Sequence, residues 1–126
     1  MKKLYGVVVP IVTPLTQEDA IDVTSLKRLA DHCIDSGMQA IYPCGTTGEM
    51  MYLSVEERRL VAETVVRHAA GRVPVFVHVG AWNLRDTVEL AKHAAEIGAD
   101  GIAVVTPAFF SVRDQGLVDY FTTVAK

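Results

Sequence analysis

The chain has 126 residues, with 12 Lys or Arg against 15 Asp or Glu and a formal charge of −3. Half of the residues are hydrophobic and 21% are charged, which excludes an intrinsically disordered chain and allows one domain with a packed core. No face collects the basic residues that nucleic-acid binding needs, and no apolar run reaches the roughly 18 residues of a membrane helix.

Along the chain, two kinds of segment alternate. Met1-Lys2-Lys3 and the apolar stretch after it resemble a signal peptide only faintly. Pro10, Thr13 and Pro14 interrupt that stretch, and no small-x-small cleavage site follows before Glu18-Asp19. The run from Val7 to Val12 reads as a first strand. A helix is expected from about Val23 to Ser36, with Leu26, Leu29, Ala30, Cys33 and Ile34 forming an apolar stripe. Ala40-Ile41-Tyr42 is a second strand. Ser54-Val55-Glu56-Glu57 is a capping box that opens a second helix, which runs through Leu60, Val61, Thr64 and Val65 to about Ala70 and is closed by Gly71. A third strand spans Val73 to Val79, and a third helix runs from near Arg85 to Gly98. A fourth strand spans Gly101 to Val105. A fourth helix starts after Asp114 and is expected still to be running at Lys126, without a C-cap glycine, which reads as truncation. The strands are continuous apolar runs, the pattern of a parallel sheet covered on both faces.

An internal repeat supports βα units. With a shift of 61, Leu29-Ala30-x-His32 falls on Leu90-Ala91-x-His93, Gly37 on Gly98, and Ile41 on Ile102. The order β-α-β-α-β-α-β-α with short connections implies right-handed crossovers and a parallel sheet. Either an open doubly wound sheet or part of a (β/α)8 barrel fits, and a complete barrel takes about 250 residues. A four-stranded parallel sheet standing alone would leave two open edges and a bare apolar face.

The segment Pro43-Cys44-Gly45-Thr46-Thr47-Gly48-Glu49 follows the second strand. Successive backbone N–H groups in a turn between two glycines form an anion-binding concavity, and each threonine adds a hydroxyl. A tight turn with a helix cap is the plainer reading of the same residues. The segment is neither a Walker loop nor a dinucleotide-binding G-x-G-x-x-G.

Val12-Thr13-Pro14, Gly45-Thr46-Thr47-Gly48-Glu49, Leu53-Ser54-x-x-Glu57-Arg58, Gly98-Ala99-Asp100-Gly101 and Val105-Thr106-Pro107 together resemble the dihydrodipicolinate synthase / N-acetylneuraminate lyase family. The resemblance runs from about residue 4 to the end. It implies an α/β fold of parallel βα units, the N-terminal half (about four units) of a (β/α)8 TIM barrel, as a single incomplete domain over 1–126. It implies a class I aldolase, in which a lysine forms a Schiff base with pyruvate and the enamine attacks an aldehyde, or the reverse cleavage occurs. Gly45, Thr46 and Thr47 would bind the pyruvate carboxylate, and Thr47 would also join a proton relay with two tyrosines. The resemblance further implies a homo-oligomer, a dimer or tetramer, and no cofactor.

Three features depart from the family pattern. Phe109 and Phe110, on the expected active-site rim, stand where the family places a relay tyrosine, and phenylalanine relays no proton. His78-Val79-Gly80 is similar to the neuraminate lyase branch, whereas Thr46-Thr47 is similar to the synthase branch. No lysine occupies the Schiff-base position, since Lys2, Lys3, Lys27, Lys92 and Lys126 all lie before the first strand, on polar helix faces or at the chain end. Tyr120, in the fourth helix, is no substitute for the second relay tyrosine.

The remaining polar residues are expected to be structural. Cys33 and Cys44 are too few for a disulfide framework or a four-cysteine zinc site and read as reduced thiols of a cytoplasmic protein. Cys44 and His78 read as packed strand-end residues, and Glu49 as a complement to a helix N-terminus. His32, His68 and His93 share no metal-ligand spacing and read as surface or boundary residues. Trp82-Asn83 belongs to a loop at the mouth of the site. The leading expectation is a synthase condensing pyruvate with aspartate semialdehyde, this chain being inactive alone. Aldol cleavage of sialic acid is the alternative within the family, and a noncatalytic half-barrel that pairs with itself is the alternative outside it.

Overall fold

A computed structural model describes residues 5–108 and 111–126. Four short strands alternate with four helices: β1 (Val8–Pro10), α1 (Val23–Asp35), β2 (Ala40–Tyr42), α2 (Val55–Ala69), β3 (Phe76–His78), α3 (Leu84–Glu96), β4 (Gly101–Ala103) and α4 (Asp114–Val124). Each of the first three helices begins where a side chain satisfies its free N–H groups. Asp22 accepts from Ser25 N at 2.9 Å, and Asn83 accepts from Asp86 N at 2.8 Å. At α2 the capping box is complete, with Ser54 N donating to Glu57 Oε2 at 2.7 Å and Glu57 N to Ser54 Oγ at 3.2 Å.

All strand pairings are parallel. Val8 pairs with Ala40 and Phe76 with Gly101, and a bridge between Ile41 and Val75 joins β2 to β3. The order is therefore β1-β2-β3-β4, and each helix packs against the next in sequence. Ile41, Val75, Val77 and Val79 meet Leu26, Val61, Val65 and Leu90 in one core between sheet and helices. Alternation along the strands puts Tyr42, Phe76 and His78 on the opposite, inner face. A side chain at Gly101 would strike the Phe76 ring, so glycine makes room for that inner layer.

The structure corrects several expectations. β2 matches its expected run, whereas β1, β3 and β4 each keep three paired residues of a longer apolar run. The runs are not covered on both faces throughout, for Val7, Val12 and Val105 are 54%, 53% and 43% exposed. They flank the outer strands of the described sheet, which have a neighbour on one side. The fourth helix runs to Val124, and its C-cap Ala125 keeps the right-handed helical conformation and donates to Phe121 O. On α2 the apolar Leu60 is exposed, and the charged Arg58 of the same helix is buried.

The repeat explains its own glycines. Gly37 and Gly98 both follow a helix and adopt φ +81° and +78°, the left-handed region that costs a glycine nothing. After α2, however, the turn begins one residue before the expected Gly71. Ala70 has φ +48°, and a side chain in that region costs about 1 kcal/mol. Ala70→Gly is therefore expected to raise the unfolding free energy by about 0.5 kcal/mol, the relief outweighing the added freedom of the unfolded chain, as read by denaturant titration.

Candidate functional site

The loop between β2 and α2 stands at the C-terminal ends of the parallel strands. Residues 45–52 form consecutive tight turns instead of leading directly into a helix. Gly45 O accepts from Gly48 N at 3.0 Å and Met50 N at 3.3 Å, and Thr46 O accepts from Glu49 N at 3.0 Å. The N–H groups of Gly45, Thr46 and Thr47, like the two threonine hydroxyls, find no acceptor among the described residues. Both threonines are exposed. The result is a short arc of free donors.

Glycine is required on both sides of the threonines. A Cβ on Gly45 would collide with the Tyr42 ring, and one on Gly48 would stand 3.1 Å from Ile11 O and 3.2 Å from Cys44 N. Thr13 is buried and donates from Oγ1 to Gly48 O at 2.8 Å. The two motifs Val12-Thr13-Pro14 and Gly45–Glu49, far apart in sequence, thus meet through one hydrogen bond. Cys44 and Glu49 take φ +61° and +58°, a conformation unusual for any residue with a Cβ.

Behind the loop lies a buried cluster that sequence reading missed. Arg58, 3% exposed, donates through Nη1 to Gly80 O and through Nη2 to His78 O, both at 2.8 Å. Its Nη2 stands 3.5 Å from His78 Nδ1, while Nε has no partner among the described residues. Cys44 Sγ donates to Arg58 O at 3.6 Å. The His78 ring meets Tyr42 edge to face at 5.9 Å. Arg58 lay within a recognised motif, Leu53-Ser54-x-x-Glu57-Arg58, but its burial has no local signal. An arginine on a helix is ordinarily solvated.

Burial dominates the electrostatics here. It pushes the Cys44 thiol from 9.0 up to about 11, the nearby Arg58 charge opposing only part of that rise. It brings the His78 imidazole from 6.5 down to about 4, with Arg58 adding to the effect. Cys44 and His78 are thus packed and neutral at pH 7, in the structural role expected of them.

Other expected residues fall differently. Glu49 complements no helix end, because α2 begins at Val55 and is capped by Ser54 and Glu57. His93 is buried rather than superficial and pairs with Glu63 at 3.0 Å, holding that carboxyl below its usual range. Asn83 caps α3, and its neighbour Trp82 is 64% exposed beside a cleft of about 150 Å³ that Arg58 and Asp86 also line. Phe109 and Phe110 lie outside the described residues. Lys27 and Lys92 are exposed on helices, as expected. Among the described residues no three His, Cys, Asp or Glu side chains converge as a metal site, and no helix is long and apolar enough to cross a membrane.

Parallel βα units with loop donors at the strand ends define a sector of a (β/α)8 barrel. A sequence model of the Dihydrodipicolinate synthetase family matches residues 3–126, and the chain belongs to that family of lyases and aldolases. It is 43% identical to N-acetylneuraminate lyase of Rattus norvegicus over 98% of its length and 40% of the relative's. It is 38% identical to 4-hydroxy-tetrahydrodipicolinate synthase of Brucella abortus, over 98% of its own length and 42% of the relative's. The crystal structure of dihydrodipicolinate synthase from Aquifex aeolicus superposes with a TM-score of 0.93 at 38% identity, covering 97% of this chain and 41% of that one. The chain thus spans about two-fifths of the length of these relatives.

Two outcomes are expected from the burial of Cys44 and His78. A disulfide-exchange reagent at pH 8 is expected to leave the Cys44 thiol unmodified in the folded protein and to titrate it fully in denaturant. The folded pKa of His78 lies below its unfolded value, so the unfolded chain binds the extra proton first. The stability that this confers is complete above about pH 6.5 and is lost as the pH falls towards 4. Denaturation of wild type and His78→Gln over that window should diverge by up to about 3 kcal/mol, with wild type losing more on acidification.

Proposed function

We propose that this chain supplies the carboxylate-binding part of a pyruvate-dependent class I aldolase. The observation that carries the reading is the arc of unpartnered donors at Gly45, Thr46 and Thr47, at the end of the barrel where such folds hold substrates. Three N–H groups and two hydroxyls suit a small carboxylate, and no acidic side chain other than Glu49 lies in the turn. In this reading a lysine amine condenses with the C2 carbonyl of pyruvate and releases water. The enamine formed by loss of a C3 proton then attacks the aldehyde carbon, or the sequence runs in reverse. In the same reading Thr47 passes a proton, the part that the family resemblance gives it.

The Schiff-base amine comes from outside these residues. Lys27, Lys92 and Lys126 are exposed and away from the loop, and a class I aldolase needs a lysine desolvated in the barrel mouth. The 126 residues are one incomplete barrel domain, inactive alone, of a cytoplasmic homo-oligomer. Condensation with aspartate semialdehyde is the leading reading of the reaction. The 43% identity to a neuraminate lyase, together with His78-Val79-Gly80, favours aldol cleavage of sialic acid as a second reading.

The test is reductive trapping. Borohydride added with pyruvate to these 126 residues is expected to leave every lysine unmodified by mass spectrometry, while pyruvate shifts the amide resonances of Gly45, Thr46 and Thr47. A pyruvyl-sized mass gain on one of the five lysines would sink the reading of an external amine. Unmoved amides would sink the carboxylate site.

A further inference from the structure

The far side of the donor loop is held by a residue from another strand end. Thr13, which follows β1 and is 6% exposed, donates from Oγ1 to Gly48 O at 2.8 Å. No other donor reaches that carbonyl among the described residues, and Gly48 is itself buried, so the bond is shielded from water. The approach is close. A Cβ on Gly48 would stand 3.2 Å from Thr13 Oγ1 and 3.1 Å from Ile11 O, a tight fit that glycine avoids. Pro14 follows Thr13 and disfavours a helical backbone there, which keeps the hydroxyl on an extended segment.

From Gly48, two peptide groups lead back to the arc. Each is trans, so its carbonyl and its N–H point in opposite directions. The Gly48–Glu49 peptide takes the Thr13 hydroxyl at its carbonyl and donates through Glu49 N to Thr46 O at 3.0 Å. Thr46 O belongs in turn to the Thr46–Thr47 peptide, whose N–H is the unpartnered donor of Thr47. The path therefore alternates donor and acceptor without a break, from a buried hydroxyl to a free N–H. Hydrogen bonds in such a chain polarise one another, so a donor at one end strengthens the donor at the other. The neighbouring Gly45–Thr46 peptide is held by different bonds, since Gly45 O accepts from Gly48 N at 3.0 Å and Met50 N at 3.3 Å.

We propose that Thr13 is a positioning residue for the carboxylate site, acting on the Thr47 N–H through the Gly48–Glu49 and Thr46–Thr47 peptides. This part rests on the carboxylate-binding reading of the arc. The Thr13 hydroxyl is committed to Gly48 O, so it fixes the two peptide planes and does not touch the substrate. The role accounts for the meeting of two motifs across 35 positions of sequence.

The experiment is amide NMR of the full protein, labelled with nitrogen-15 on threonine, paired with pyruvate titration. Thr13→Val keeps the side-chain shape and removes the hydroxyl. It is expected to shift the ligand-free Thr47 amide resonance more than that of Thr46, and to weaken pyruvate binding about tenfold. Thr13→Ser, which keeps the donor, should return both to wild-type values. A general loosening would instead move Thr46 and Thr47 alike, and serine, lacking the methyl group, would not reverse it. Should thermal unfolding show that Thr13→Val does not fold, Thr13→Cys carries the test, with an intermediate loss expected because a thiol is a weak donor. An unshifted Thr47 amide, equal shifts at Thr46 and Thr47, or a failure of serine to restore them overturns the proposal, as does unchanged affinity where the wild type binds. If pyruvate moves neither threonine amide of the loop even in the wild type, the carboxylate reading fails instead. The ligand-free Thr46 and Thr47 resonances then still decide whether Thr13 orients the peptide.

Discussion

A full positive charge taken out of water must be compensated, and in this chain Arg58 is compensated by carbonyl groups rather than by a carboxylate. The carbonyls belong to His78 and Gly80, at the point where β3 ends and the chain turns towards α3. Carbonyl dipoles cost less to bury than a second ion, so the cluster can sit under the sheet end. That one guanidinium joins α2 to β3, while its own backbone receives the Cys44 thiol from the end of β2. Two strand ends and one helix therefore share a single anchor. Shortening the side chain would leave the carbonyls of His78 and Gly80 without their donor.

The outer layer is held by weaker means. Asp31 on α1 receives His68 and Arg72 from the α2 side, at 2.9 and 2.8 Å, and these bonds hold its carboxyl below the usual range. Glu63 on α2 takes Arg67 from its own helix and His93 from α3. Most of these groups are substantially solvated, where ion pairs add little, so they fix register between neighbouring helices more than they stabilise them. Stability itself lies in the apolar seam that Leu26, Ile41, Val61, Val65 and Val75 form between helices and sheet.

The inner face differs in character. Tyr42, Phe76 and His78 stand where a complete barrel would place its interior, and glycines at 45, 80 and 101 make room for their rings. Large rings are thus accommodated by missing side chains on the neighbouring strand or loop. The same device that fills the barrel interior also lets the Gly45 backbone approach the sheet end closely.

The element order, the four helix starts to within a residue, and the Gly-Thr-Thr-Gly loop were legible in the sequence, because each depends on residues within a few positions of one another. A capping box spans four residues, an apolar stripe repeats every three or four, and a left-handed glycine follows its helix directly. What was not legible depends on partners far along the chain. Ile41 and Ile102 occupy equivalent repeat positions, yet one is fully buried and the other 38% exposed, because only the first has strands on both sides. His32 and His93 are likewise equivalent, and only His93 is buried and paired with Glu63. Arg58 looks like any helix-surface charge until β3 is placed against it. The sequence by itself determined the parallel βα architecture and the free-donor loop. The tertiary structure alone decided which charge lies beneath that loop, since burial and hydrogen bonding between α2 and β3 are set by the packing of elements some 20 residues apart.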